Sequence, residues 1–364
     1  MSNRIDVRKT YKLFIGGAFP RSESGYSYVV TDHKGAFVAN AALASRKDAR
    51  DAVVAARKAF GGWSGRTAYN RAQILYRVAE VMEDRRPQFV QAVQQSEGLS
   101  ASRADKVVDA AVDRLVWYAG WADKLAQVVG NANPVAGPFF NLSTPEPTGV
   151  VAVLAPEESS LLGLVSVIAP VIVSGNTAVV VSSYSRPLPA VNLAEVLATS
   201  DLPGGVVNIL TGRAATVAPW LASHMDVNAI DLTGIAGDAA LAAENLRLVE
   251  KVIQGRDFTC TIEGMNAIEA WLGSLPGHAY ANVRQPPIST LNLAHMIPLS
   301  AVWAGAERDE HFGDAPLLYG KTEGSTPFRL SLHVGDVGHC LVVGPTGAGK
   351  SVLLATMAMQ FRRY

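Results

Sequence analysis

The sequence predicts an α/β protein: N-terminal helices lead into a doubly wound parallel sheet, and a strand, a glycine loop and a helix follow towards the end of the chain. Three observations carry this. Between residues 150 and 232, four short β-branched runs alternate with apolar stretches of helical length. Between residues 45 and 128, apolar side chains recur at helical spacing. At Cys340-Leu341-Val342-Val343, an apolar run breaks into Gly344-Pro345-Thr346-Gly347-Ala348-Gly349-Lys350-Ser351.

Taken in order, Tyr11 to Gly17 reads as a short strand and turn, with a polar hairpin-like region following through Val38. Ser45-Arg46-Lys47-Asp48 is a capping-box start with Asp in place of Glu; Ala52, Val53, Ala56 and Phe60 keep the helical period, and Gly61-Gly62 is expected to stop it. A second helix is expected from Asn70 to Arg85, ended by Pro87, and a third from Ser102 to Val128. After a Pro-rich connector, Asn133 to Pro147, the expected strands are Val150–Leu154, Thr177–Val181, Val206–Leu210 and Ala229–Leu232. The helices between them are Ser159–Val173, Pro187–Thr199 and Ala214–Ser223. Such a sheet binds ligands at the carboxyl ends of its strands.

The glycine loop carries the strongest chemical signal. Gly344, Gly347 and Gly349 allow a concave nest of N–H groups, and the helix opening at Lys350 points its positive end at the same place. Lys350 would neutralise the β/γ-phosphates of ATP, and the Ser351 hydroxyl would ligate Mg²⁺. Pro345, Thr346 and Ala348 complete the loop; the bland alternative is an ordinary strand-to-helix turn. The acidic metal-binding strand that a hydrolase needs is not expected from residues 352–364.

Composition narrows the class. The 364 residues include 32 Lys plus Arg and 32 Asp plus Glu, so no basic surplus points to nucleic acid or an anionic membrane. Cys260 and Cys340 lack metal-ligand spacing, which suits a reducing cytoplasm. Met1–Thr10 lacks a signal-peptide core, and the apolar run Leu161–Val173 is too short to span a bilayer. His278, His295, His311 and His339 read as surface or hydrogen-bonding groups, and Glu307-Arg308-Asp309-Glu310 as a solvated run. Trp63, Trp117 and Trp121 read as packing, and Arg362 and Arg363 as complements to a helix C-terminus.

Residues 10 to 245 resemble the aldehyde dehydrogenase family. The resemblance rests on Ile15-Gly16-Gly17, Trp63, Arg71, Pro147-Thr148-Gly149-Val150-Val151, Ser174-Gly175-Asn176-Thr177, Leu202-Pro203-Gly204-Gly205 and Leu232-Thr233-Gly234. It implies a Rossmann-type NAD(P)-binding domain from an enzyme that oxidises aldehydes through a cysteine thioester. The functional positions depart from the family. Its Pro-Trp-Asn stands as Pro156-Glu157-Glu158, placing a carboxylate where an amide would donate to the oxyanion. Its ribose-holding Lys-Pro-Ser-Glu stands as Val181-Ser182-Ser183-Tyr184, and its Thr-Gly-Ser as Thr233-Gly234-Ile235. The Gly-Gln-x-Cys nucleophile has no counterpart, and Cys260 is expected to be a buried structural thiol.

From about residue 245 the chain resembles the TrbE-type conjugative transfer ATPase of type IV secretion systems. Glu263-Gly264-Met265-Asn266, Ala270-Trp271-Leu272-Gly273, Asn292-Leu293-Ala294-His295, Gly320-Lys321-Thr322 and the phosphate loop carry this likeness. It implies the end of an N-terminal domain and the start of a RecA-like motor. The expected organisation is therefore a degenerate NAD(P)-binding domain over 1–245, an ATPase-like segment over 246–328, and the opening of a RecA-like domain over 329–364. The expected function is that of a chimera, with an inactive dehydrogenase domain and a retained ATP loop. The alternatives are a non-catalytic subunit beside an active aldehyde dehydrogenase or in a homo-oligomer, an ATP-binding component of type IV secretion, and an intact dehydrogenase using Cys260.

Overall fold

The computed structural model describes residues 9–132, 141–274, 304–308, 315–321, 327–332 and 339–361. The chain divides into two compact units, Met1–Arg284 and Gln285–Tyr364.

The first unit opens with β1 (Thr10–Tyr11), β2 (Ser27–Thr31) and β3 (Phe37–Ala42), a small sheet ordered β1-β3-β2. Then come α1 (Arg46–Ser64), α2 (Ala68–Asp84), α3 (Arg86–Glu97), α4 (Ala101–Trp121) and the short α5 (Leu125–Val129). A two-stranded ribbon of β4 (Asn131–Ala132) and β5 (Leu142–Ser143) follows. The Ser45–Asp48 capping box forms as its residues suggest. Gly61-Gly62, however, does not end α1, which runs three residues beyond Gly61. Tertiary packing overrides the glycines there: Trp63 is fully buried and its indole N–H donates to the Ile172 carbonyl at 2.9 Å. Pro87 likewise does not close a helix. It occupies the first turn of α3, where a missing N–H costs nothing.

The main sheet is built from β6 (Val150–Leu154), α6 (Leu162–Val173), β7 (Thr177–Val181), α7 (Leu188–Leu197), β8 (Val207–Leu210), α8 (Ala214–Ala222) and β9 (Ala229–Asp231). Its strands pair in parallel in the order β8-β7-β6-β9. Burial of both faces explains the continuous apolar runs. Val150, Ala152 and Leu154 cluster with Ala52, Val53 and Ala56 of α1 and Leu221 of α8. Val151 and Val153 cluster instead with residues of α2, α4, α6 and α7. Phe14 closes the β8 edge by exchanging backbone hydrogen bonds with Ile209 at 3.0 and 2.7 Å. That approach explains two glycine motifs at once. Gly17 has φ +83°, and a Cβ on it would lie 2.8 Å from the Gly204 Cα. Arg71 joins the ends of two helices by donating to the Val173 carbonyl at 3.0 Å. α9 (Ala239–Gln254) then crosses the point where the two resemblances meet, and α10 (Ala267–Gly273) follows it.

In the second unit, β10 (Leu318–Lys321) and β11 (Pro327–Leu330) form an antiparallel pair. The Arg329 N–H donates to the Ala304 carbonyl at 2.7 Å. α11 (Lys350–Phe361) begins where the glycine loop predicts. The strand expected at Cys340–Val343 does not form. Leu341 and Val343 are 87% and 82% exposed, and among the described residues no strand pairs with them. His278, His295, His311, Asp309, Glu310, Arg362 and Arg363 lie outside the described residues.

Candidate nucleotide sites

The loop at residues 344–351 is shaped by its glycines. Gly347 and Gly349 hold φ of +86° and +78°, a region that side-chain-bearing residues avoid, and an added Cβ at either would meet open space. Backbone strain, more than crowding, therefore reserves these positions for glycine. The Ala348 N–H donates back to the Pro345 carbonyl at 3.3 Å, and the Leu353 N–H to the Gly349 carbonyl at 3.0 Å, which joins the loop to the first turn of α11.

Lys350 folds over this loop. Its Nζ donates to the carbonyls of Gly344 at 2.8 Å and Pro345 at 2.7 Å, with the ammonium exposed. These are neutral acceptors, so an arriving phosphate offers the lysine a stronger, charge-assisted partner. Thr346 and Ser351 are exposed beside it. Lys350, Thr346 and Ser351 are the side chains of this loop that could hold a phosphate chain and its Mg²⁺. Among the described residues, no group of three or more His, Cys, Asp or Glu could hold a metal ion.

The second site lies at the carboxyl ends of β6, β7 and β8. Pro156, Glu157 and Glu158 follow β6, and the Glu157 carboxylate turns into the loop after β7. Its Oε1 accepts from the Tyr184 N–H at 2.9 Å. Its Oε2 accepts from the Ser183 hydroxyl at 2.7 Å, and from the Ser185 hydroxyl and N–H at 3.0 and 3.3 Å. Glu158 keeps an exposed side chain, while its carbonyl accepts from Arg186 Nη1 at 2.7 Å.

Tyr184 is pinned on both counts that matter for a ring. It stacks on Tyr28 at 4.5 Å between centroids, and the Arg213 guanidinium lies 4.2 Å from its centroid. The Tyr28 hydroxyl is buried with no hydrogen-bond partner, and its pKa is pushed upward by burial first, then by Tyr184 and Glu157. Val181, 1% exposed, and Ile235, 8% exposed, sit in the apolar cluster under the sheet. Gly234 brings the Thr233–Ile235 turn so close to β6 that a Cβ would stand 2.2 Å from the Leu154 carbonyl oxygen. Thr233 is exposed; its N–H donates to Asp231 Oδ1 at 2.8 Å.

The structure thus brings Glu157, Ser183 and Tyr184 together and sends Val181 and Ile235 into the core. Ser185, Arg186, Arg213 and Tyr28 join the cluster from outside the motifs that the sequence marks. No motif in the sequence marked them. Cys260 corrects an expectation: it is half-buried in an irregular stretch, not packed in a core. Trp117 is another correction, because it is 54% exposed on α4 whereas Trp63 packs as expected.

Comparison with known proteins follows this division. The family model described as the aldehyde dehydrogenase family matches residues 19–246. Aldehyde dehydrogenase, cytosolic 1, of Elephantulus edwardii is 32% identical over 245 residues, which is 63% of this chain and 46% of that protein. The crystal structure of an NAD-dependent aldehyde dehydrogenase from Sinorhizobium meliloti superposes with a TM-score of 0.62 at 23% identity, over 68% of this chain and 49% of that one. The conjugal transfer protein TrbE of Rhizobium radiobacter is 51% identical over 130 residues, 35% of this chain and 16% of that protein. The chain spans under half the length of each of these relatives.

Proposed function

The chain belongs to the aldehyde dehydrogenase family, and from that premise we propose that it is a fused, non-catalytic member: its dehydrogenase-type domain does not oxidise aldehydes, and its TrbE-like segment binds a nucleotide through Gly344–Ser351 without turning it over. The observation that carries the reading is the loop itself, with two left-handed glycines and the Lys350 ammonium held over the loop by carbonyls that a phosphate outbids. Turnover needs a carboxylate for the metal and a group to orient water.

In the family-type crevice, the position of the ribose-holding lysine is Val181, sealed in the core, and the oxyanion amide is replaced by Glu158. NAD(P) binding there is weak. Cys260 stands in none of the segments that form the crevice.

The test is a titration of the purified chain with Mg-ATP against Lys350→Ala. Losing a charge-assisted contact of about 1.5–3 kcal/mol weakens binding about ten- to a hundredfold. Equal affinity for both chains removes the nucleotide reading. Aldehyde-dependent NADH formation by the wild-type chain, lost in Cys260→Ser, would replace it with an intact dehydrogenase.

A second reading, association with an active aldehyde dehydrogenase or a second copy, is favoured by the exposed apolar side chains of Val116 and Trp117 on α4 and Val128 and Val129 on α5. The TrbE likeness supports a type IV secretion setting. No helix among the described residues is long and apolar enough to cross a membrane.

A further inference from the structure

We infer that Glu157 is an internal ligand of the dinucleotide crevice, occupying the donors of the loop after β7 so that an adenine dinucleotide must displace it to enter. This rests on the reading that the crevice descends from a dinucleotide site. It goes further by naming the group that now fills it.

The loop after β7 presents two hydroxyls and two backbone N–H groups that converge within 2.7–3.3 Å on one carboxylate. A cradle of this kind is an anion or sugar-hydroxyl receptor by its chemistry, since convergent N–H and O–H donors bind whatever acceptor oxygen reaches them. The oxygen here comes from the chain. Glu157 stands where the family resemblance places an apolar tryptophan, and the Ser183–Tyr184 segment stands where it places the ribose-holding residues.

The surroundings make the arrangement rigid. Tyr184 is stacked on Tyr28 and lies close to Arg213, so the loop cannot easily turn its donors elsewhere. The Arg186 N–H donates to the Ser183 hydroxyl at 3.1 Å, and Arg186 Nη1 holds the Glu158 carbonyl at 2.7 Å. Both ends of the Glu157–Ser183 contact are therefore tied down. An intramolecular ligand with fixed ends competes at a high effective concentration against a free one.

The experiment uses the full chain. NAD⁺ is titrated by calorimetry into the wild type, Glu157→Ala and Glu157→Gln, with the thermal midpoint of each recorded. Glu157→Ala is expected to bind NAD⁺ at least tenfold more tightly than the wild type. Glu157→Gln, which keeps one acceptor but loses the charge, is expected to gain less, and it carries the test if the alanine variant does not fold. Folded variants that bind no more tightly than the wild type overturn the inference, as does a wild-type chain whose affinity already equals theirs. The non-catalytic reading fails separately, through aldehyde-dependent NADH formation by the wild type, so tighter binding without turnover leaves both standing.

Discussion

At the scale of single residues, Tyr28 shows what the crevice costs. Its hydroxyl is buried without a partner, and burial, Tyr184 and Glu157 together hold its pKa above the ordinary value of about 10. The neutral form is favoured by folding, so this residue's contribution is fully present below about pH 10 and is lost as the pH climbs towards the raised value. Tyr28→Phe should leave neutral-pH stability unchanged or raise it by about 1 kcal/mol, since it removes an unsatisfied hydroxyl. It should also flatten the fall in stability above about pH 10. Urea unfolding at pH 7 and at pH 11 measures both; a loss of more than about 1 kcal/mol at pH 7 would mean that the hydroxyl has a partner. The substitutions at Glu157, Val181 and Ile235 were legible because each departs from a recognisable motif. The packing around Tyr184 was not, because Tyr28 and Arg213 come from stretches distant from it in sequence that only the folded sheet brings together.

At the scale of elements, legibility followed burial and pairing. The strands at 150–154 and 177–181 matched their apolar runs because both faces are covered, which leaves little freedom for another structure. The run at 340–343 is also apolar but irregular, and among the described residues it has no neighbouring strand to pair with. α1 shows local and tertiary signals cooperating. Asp48, 4% exposed, closes the capping box by accepting from the Ser45 N–H at 2.7 Å, and also accepts from the Ser22 hydroxyl at 2.7 Å and the Glu23 N–H at 3.0 Å. Asp48→Ala should therefore cost about 3 kcal/mol, more than the cap alone, because buried donors lose their acceptor. Asp48→Asn, which keeps an acceptor oxygen, should cost about 1 kcal/mol. Denaturant midpoints at constant m-value separate the two; equal losses would mean that the charge, and not the acceptor, does the holding.

At the scale of the whole molecule, the two units are held to different degrees. In the first, every residue of β6 and β7 is buried, between helices on both faces. In the second, α11 buries only Met357, and leaves Val352, Leu354 and Met359 at 70%, 52% and 64% exposure. A 12-residue helix without such burial is marginal in water. Its apolar residues then contribute little, because burial and not composition supplies about 25 cal/mol per Å². Opening of α11 should thus require far less free energy than opening of the sheet. Native-state hydrogen exchange should find α11 amides at least about a hundredfold less protected than those of β6 and β7, a gap of about 2.7 kcal/mol. Nucleotide should narrow it if the loop binds phosphate, since a ligand stabilises the state that holds it. Equal protection without nucleotide would show that a partner surface covers α11, and would turn its apolar residues from an exposed liability into an interface.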